Sequence, residues 1–164
     1  MASGDTLAIF TPHMNEPTTA NFATLDLRNL HPVLNHDDTT NEYSVFSDVM
    51  PQNYAGTTGI TAYIHYAMAS AVADTIDWDL AFERIGDRQQ DLDSDGFAAV
   101  QSVDNTTVPA TSGLVDVVSI AFTDGAQMDS VAAGDGYRVK LNRDAANDDA
   151  TGDGQLVFLE LRET

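Results

Sequence analysis

Residues 60–85, ITAYIHYAMASAVADTIDWDLAFERI, contain two runs in which apolar and polar side chains alternate. In the first run, one face carries Ile60, Ala62, Ile64, Tyr66 and Met68, and the other carries Thr61, Tyr63 and His65. In the second run, the inward set is Ile76, Trp78, Leu80 and Phe82, and the outward set is Asp77, Asp79 and Glu83. Alternation with period two predicts two β-strands, each with one buried and one solvated face.

The same alternation recurs between turn signals along the chain, and no segment is convincingly helical. Further strands are predicted at residues 5–11, 21–26, 31–35, 43–49, 97–103, 114–122, 137–142 and 155–162. We therefore expect an all-β fold, an antiparallel two-sheet β-sandwich of the jelly-roll type. Residues 37–164 are predicted to form the sandwich, with strands and an arm from residues 1–36 packed on the same single domain.

The composition is strongly acidic, with 7 Lys plus Arg against 26 Asp plus Glu and a formal charge of −19. Such a charge destabilises a compact fold by self-repulsion. In molar salt the Debye length falls to about 3 Å, which screens the repulsion. The composition therefore predicts a hypersaline medium, and the scarcity of cations argues against nucleic acid as a partner.

Other classes of function lack their sequence signals. There is no cysteine, which excludes disulfides and thiolate metal sites. The first residues, MASGDTLAIF, do not have the pattern of a signal peptide, and no apolar run has the length of a membrane span. The four histidines are scattered singly, and neither a G-x-S-x-G motif nor a phosphate-binding loop is present.

One motif has the spacing of a cation-binding loop. Asp91, Asp93 and Asp95 followed by Gly96 give the D-x-D-x-D-G opening of a calcium loop. Ser102 stands where that loop requires a bidentate glutamate. The three aspartates are thus candidate ligands for Ca²⁺ or another cation, with a solvated acidic loop as the alternative and no other cofactor expected.

Two further sets of residues suggest sites. Asp77, Asp79 and Glu83 have the residue types of a glycosidase pair, but with 26 acidic residues such pairs arise by chance, so we expect no enzymatic activity. The strand at 114–122, LVDVVSIAF, is apolar on both faces and predicts a second covering layer. Val115, Val117 and Ala121 are its candidate subunit-contact residues.

Three segments together carry a family resemblance: residues 49–56 (VMPQNYAG), 80–95 (LAFERIGDRQQDLDSD) and 121–130 (AFTDGAQMDS). Over residues 37–164 the chain resembles small structural proteins of tailed viruses, and its acidity points to a virus of a halophilic archaeon. The resemblance implies a non-enzymatic jelly-roll particle protein, which either decorates the head shell or forms part of the tail and is often a trimer. Our first hypothesis is a homotrimer that decorates the capsid by binding the major capsid protein.

Two alternatives remain open. One is a tail fibre or receptor-binding module, in which Tyr63 and the loops at 52–59 and 86–96 contact a host surface glycan. The other is a glycosidase or carbohydrate-binding domain of a larger enzyme. Neither alternative requires a nucleic-acid or membrane partner.

The charge generates a first prediction. Because unscreened repulsion returns when salt is removed, dialysis from molar KCl into dilute buffer should unfold the chain. Circular dichroism across a KCl series checks this, with sucrose as a control for water activity. A spectrum that is unchanged in dilute buffer contradicts adaptation to high salt.

Overall fold

A computed structural model describes residues 4–70 and 73–164. These residues contain ten strands and two short 3₁₀ turns, the turns at Pro12–Met14 and Ala126–Met128. The strands are β1 (Thr6–Phe10), β2 (Thr24–Arg28), β3 (His31–His36), β4 (Tyr43–Val49), β5 (Ile60–Met68), β6 (Thr75–Ile85), β7 (Gln101–Thr107), β8 (Val115–Phe122), β9 (Gly136–Arg143) and β10 (Gly154–Glu163). Within the described ranges, no helix is long and apolar enough to cross a bilayer.

The strands form two antiparallel sheets. Sheet A has the order β2-β3-β10-β5-β8, with β1 also paired to β10, and sheet B has the order β4-β9-β6-β7. The predicted fold class is confirmed: the chain is an antiparallel β-sandwich of the jelly-roll type.

The C-terminal strand β10 connects most of sheet A. On one side it pairs along its length with β5. On its other side, Gly154–Leu156 pairs with β3 and the distal half pairs with β1. A register shift between Leu156 and Phe158 accompanies this change of partner. Strands from the first 36 residues therefore share a sheet with strands from the far end of the chain.

The two strands of the 60–85 segment lie in different sheets and face each other across the core. Their predicted inward side chains, including Ile64 and Trp78, are fully buried. The Trp78 ring meets Tyr66 edge-on at 5.6 Å and His36 at 5.2 Å between centroids. Each of the two strands has one apolar face. Because the chain passes from sheet A to sheet B between them, these two apolar faces pack against each other in the core. Residues 71 and 72 of the predicted turn lie outside the described residues.

The predicted outward position of the β6 acids is wrong in part. Asp77 is 6% and Glu83 4% exposed. Glu83 accepts hydrogen bonds from Arg138 and from Gln90, and Asp77 accepts one from the N–H of Asn105. These carboxylates point away from the core but are covered by neighbouring side chains and loops.

The predicted strand at 97–103 begins later, at Gln101. Phe97 instead places its ring on the outer face of sheet B, 4.8 Å from Lys140 Nζ and 5.3 Å from Arg138 Cζ. Tyr43 contacts the same lysine at 5.3 Å. These cation–π contacts favour a loop that lies over the sheet in place of one more extended strand segment.

Arg143 organises the acidic loop that precedes β10. Its side chain is fully buried and donates to both carboxylate oxygens of Asp148, at 2.6 and 2.8 Å. It also donates to the carbonyl oxygens of Ala150 and Gly152. A buried charge is stable only when it is paired and hydrogen-bonded in this way.

Three edge strands carry an aspartate that caps their own backbone. Asp26 of β2, Asp48 of β4 and Asp116 of β8 each accept a hydrogen bond from the N–H of the next residue, at 2.7–2.9 Å. An occupied amide beside a negative charge disfavours pairing with a strand of another molecule. At these positions the edges of β2, β4 and β8 are thus disfavoured for pairing with another molecule.

His36 is a buried titratable group of the core. Its Nδ1 lies 3.0 Å from the carbonyl oxygen of Glu42, and its Nε2 lies 2.8 Å from Ser44 Oγ. Burial lowers the pKa of His36 to about 4, because removal from water disfavours the imidazolium. The folded protein therefore keeps this ring neutral under mildly acidic conditions.

This depressed pKa predicts a pH dependence of stability. Below about pH 6.5 the unfolded chain protonates His36 while the folded chain does not, so stability falls as the pH drops towards 4. Between pH 7 and pH 5, the wild type should lose up to about 2 kcal/mol more unfolding free energy than His36→Gln. Urea unfolding in constant molar KCl measures this, with the exposed His13→Gln as control; an equal loss in all three proteins contradicts the assignment.

Candidate ligand-binding face

The outer face of sheet A exposes apolar and aromatic side chains to solvent. Val115 and Val117 of β8 are 50% and 45% exposed, and Ala121 of the same strand is also exposed. β8 is an edge strand of sheet A, and its other face contributes Ile120 and Phe122 to the core. The three predicted contact residues thus share one open face, and their role in a subunit contact stays a prediction.

Tyr63, on the central strand β5, lies on this face beside a fixed polar group. The Arg162 guanidinium stacks on the Tyr63 ring, 4.3 Å from its centroid. Arg162 Nη2 donates to Glu160 Oε2 at 2.8 Å, and Thr6 Oγ1 donates to Glu160 Oε1 at 2.6 Å. The hydrogen bond from Arg162, more than any other contact, lowers the pKa of Glu160. Contacts among β1, β5 and β10 therefore fix these polar groups beside the aromatic ring.

A second aromatic pair adjoins the first. His65 and Phe158 stack with their centroids 4.0 Å apart and their planes at 28°. The register shift before Phe158 places it opposite His65. Burial lowers the pKa of His65, which favours the neutral ring. Tyr63, His65 and Phe158, with Arg162, form a half-buried surface, which we call the aromatic platform.

From the platform, the face continues into a cleft of about 330 Å³ that we call the sheet A groove. Its apolar lining comes from four strands of the sheet, through Val33, Ala67, Val115 and Val157. Its polar end lies between the β2–β3 turn and the loop before β8, where Arg28 and Ser112 meet. An apolar cleft with a few fixed polar groups has the character of a ligand site.

Arg28 holds the polar end together. Its Nη1 donates to the carbonyl oxygen of Met68 at 2.8 Å and to Gln155 Oε1, and its Nη2 donates to Ser112 Oγ at 2.8 Å. A Cβ on Gly113 would lie 2.8 Å from Arg28 Nη2, and Gly113 has a φ of +78°. Glycine is therefore required where this loop passes the guanidinium.

The groove and the platform are adjacent parts of one face. Ala67, which lines the groove, is followed on the same face of β5 by His65 and then Tyr63, since alternate residues of a strand share a face. At about 3.3 Å per residue, Tyr63 and Ala67 are separated by about 13 Å. A ligand that contacts both ends is an extended one.

In the predicted cation loop, the aspartate side chains stabilise the turn by hydrogen bonds to backbone N–H groups of the same loop. Asp95 Oδ2 accepts from the N–H of Asp91, and Asp91 Oδ1 accepts from the N–H of Asp93. All three aspartates are exposed. Cation binding at Asp91, Asp93 and Asp95 stays a prediction.

A different carboxylate cluster converges in the structure. Among residues 4–70 and 73–164, Asp37, Asp38 and Asp153 form the one group of at least three potential metal-ligating side chains whose ligand atoms lie within 4.8 Å of one another. Burial, and then the charges of Asp37 and Asp38, raise the pKa of Asp153. Asp37 also accepts from Thr39 and Thr40, so it has a structural role in this turn. The cluster has the oxygen ligands that Ca²⁺ prefers, but sequence spacing did not predict it because Asp153 is distant along the chain from Asp37 and Asp38.

Of the two predicted glycan-contact loops, the one at 86–96 is not on the same surface as Tyr63. The loop at 52–59 lines a cleft with Asp124 and Val131. The loop at 86–96 lines a separate polar cleft of about 240 Å³ with Arg84 and Asp129. It leads to Phe97 on the outer face of sheet B, whereas Tyr63 lies on the outer face of sheet A. The sequence identified Tyr63 as an exposed aromatic, but not its neighbours Arg162 and Phe158, which come from the C-terminal strand.

No protein-family model matches the chain, and no curated protein matches it. Solved structures are similar in fold. A family 35 carbohydrate-binding module from an environmental isolate has a TM-score of 0.57 at 8% identity, over 96% of this chain and 94% of that one. The xylan-binding module CBM15 has a TM-score of 0.52 at 8% identity, over 96% of this chain and 97% of that one. CBM35 of Cellvibrio japonicus Abf62 has a TM-score of 0.50 at 12% identity, over 96% of this chain and 95% of that one.

A structure of infectious bursal disease virus is also similar, with a TM-score of 0.40 at 8% identity over 99% of this chain and 33% of that one. That likeness is too distant to bear on function. At these identities the comparisons establish the fold, which carbohydrate-binding modules share.

Proposed function

We propose that the chain is a non-catalytic glycan-binding module, and that its binding surface is the outer face of sheet A. The observation that carries the proposal is the aromatic platform, where Tyr63 and Phe158 lie beside the hydrogen-bonded Arg162 and Glu160. The platform is half-buried and adjoins an apolar groove.

The chemistry of this face suits a sugar. A pyranose ring presents C–H groups on its faces and hydroxyl groups on its edge. Aromatic rings offer flat apolar area for the C–H groups. The partly exposed Arg162 offers N–H donors for the hydroxyls. Its hydrogen bond to the buried Glu160, which Thr6 also contacts, holds the guanidinium in place before any ligand binds. Preorganised polar groups reduce the entropic cost of binding.

The structural comparisons give limited support. Carbohydrate-binding modules share the fold over nearly the whole of both chains. This is an argument by analogy, because one fold serves many functions. The platform, which is a property of this chain's own residues, is the stronger ground.

A capsid-decorating homo-oligomer is the second candidate. It is supported by the exposed Val115 and Val117, since apolar residues grouped on one face often mark a contact surface. The same face cannot serve a subunit contact and an open glycan site at once. Oligomeric state and glycan binding therefore distinguish the two functions.

Replacing Tyr63 tests the glycan proposal. Tyr63→Ala removes the stacking surface and should weaken the binding of a glycan by about tenfold. Hits from a glycan array in molar KCl would be followed by titration calorimetry. Tyr43→Ala is a matched control, because Tyr43 is also half-buried beside a cation but on sheet B. Equal affinity of Tyr63→Ala and the wild type for every hit overturns the proposed surface.

Val117→Asp tests the oligomer candidate. A charge on this face should dissociate an oligomer formed through β8, while a monomeric glycan-binding module should keep the same mass. Light scattering in molar KCl measures the mass before and after the substitution. Ser94→Asp, which adds the same charge at an exposed position in the loop at 86–96, is the control and should not change the mass. A wild-type trimer that becomes a monomer supports the second candidate, and a monomeric wild type rejects it.

A further inference from the structure

Arg28 differs from the other half-buried or buried arginines in its partners. Arg84, Arg138, Arg143 and Arg162 each form an ion pair with an aspartate or glutamate. In the described part of the chain, no carboxylate lies within 4 Å of the Arg28 guanidinium, although the protein has 26 acidic residues. Arg88 also lacks such a partner, but its side chain is exposed.

The hydrogen bonds of Arg28 leave two donors free. A guanidinium has five N–H groups. Three of them donate to neutral oxygens, those of Met68, Gln155 and Ser112. The Nε–H and one Nη2–H remain, and they belong to neighbouring nitrogens. Arginine N–H donors form strong, charge-assisted hydrogen bonds with anionic oxygens.

The position of these donors is relevant to a ligand. Arg28 lines the sheet A groove together with Val33, Val115 and Val157. A cation beside apolar groups is less well hydrated than one on an open surface, so its attraction to an anion is stronger. The surrounding hydrogen bonds and Gly113 keep the guanidinium at the groove's end.

We propose that the glycan bound by this face carries an anionic group, a carboxylate or a sulfate, and that Arg28 receives it while the sugar chain extends towards Tyr63. This inference rests on the proposed glycan-binding function and specifies its ligand class. The roughly 13 Å between Ala67 and Tyr63 favours an oligosaccharide over a single sugar.

The net charge of −19 does not prevent this binding. Long-range repulsion between the acidic surface and an anionic ligand is screened in molar salt, where the Debye length is about 3 Å. A contact ion pair inside a groove is screened much less. An ion pair between Arg28 and the ligand therefore still contributes to affinity in molar salt, where interactions between surface charges are screened.

The test compares ligands that differ only in the anionic group. One pair is a glucuronic-acid-bearing xylo-oligosaccharide and its carboxyl-reduced form; the other is a sulfated galacto-oligosaccharide and its desulfated form. Titration calorimetry in molar KCl should show the anionic member of at least one pair binding about tenfold or more tightly, a difference of about 1.4 kcal/mol. The pair that shows the preference identifies the anion.

Variants test whether Arg28 causes the preference for the anionic ligand. Arg28→Gln should reduce it to less than about twofold, while Arg88→Gln, which makes the same change in net charge, should leave it intact. Ser112→Ala removes one hydrogen bond to the guanidinium without changing its charge, and should weaken only the anionic ligand. Near-ultraviolet circular dichroism checks that each variant is folded. If Arg28→Gln does not fold, the wild-type comparison and Ser112→Ala still decide the question.

A failure of the Arg28 inference and a failure of the glycan-binding proposal give different results. Equal binding of anionic and neutral forms by the wild type overturns the role of Arg28 and leaves glycan binding standing. If Arg28→Gln still binds the anionic ligand more tightly than the neutral one, another residue binds the anion and the role of Arg28 is wrong. Absence of binding by all four oligosaccharides and by a glycan array overturns the proposed function together with this inference.

Discussion

The structure depends on the packing of the two sheets around Trp78. Its ring is fully buried in sheet B and contacts Tyr66 of sheet A and His36 of β3. Around it, the inner faces of β5, β6, β9 and β10 supply side chains with no solvent exposure, among them Ile64, Phe82 and Leu159. Burial of this apolar area is the main favourable contribution to folding, and it fixes which face of each strand points outwards.

The inner faces of both sheets form the core. The outer faces of sheets A and B differ in the side chains and loops that cover them. On sheet B, Phe97 lies over Arg138 and Lys140, and Glu83 is buried in its ion pair with Arg138. Sheet A presents a platform and a groove without a comparable loop among the described residues. This difference explains why the acids suspected from the sequence are structural partners, whereas the candidate site formed on the opposite face.

The family resemblance and the structural comparisons involve different classes of protein. The resemblance to virus structural proteins implied a particle protein of the head or the tail, while the solved structures with TM-scores of 0.50–0.57 are carbohydrate-binding modules. Both agree on the jelly-roll fold. The virion, its capsid partner and the halophilic host remain predictions.

The sequence by itself determined most of the strands, their core-facing sides and the outward positions of Tyr63, Val115 and Val117, because side-chain alternation is a local property of a strand. It did not determine which strands pair. Only the tertiary structure placed β5 and β6 in opposite sheets, and brought Glu160 and Arg162 beside Tyr63. It also brought Arg28 to Ser112, 84 residues away. Such contacts follow from strand order and register over long sequence separations, which a single sequence does not encode in any local pattern.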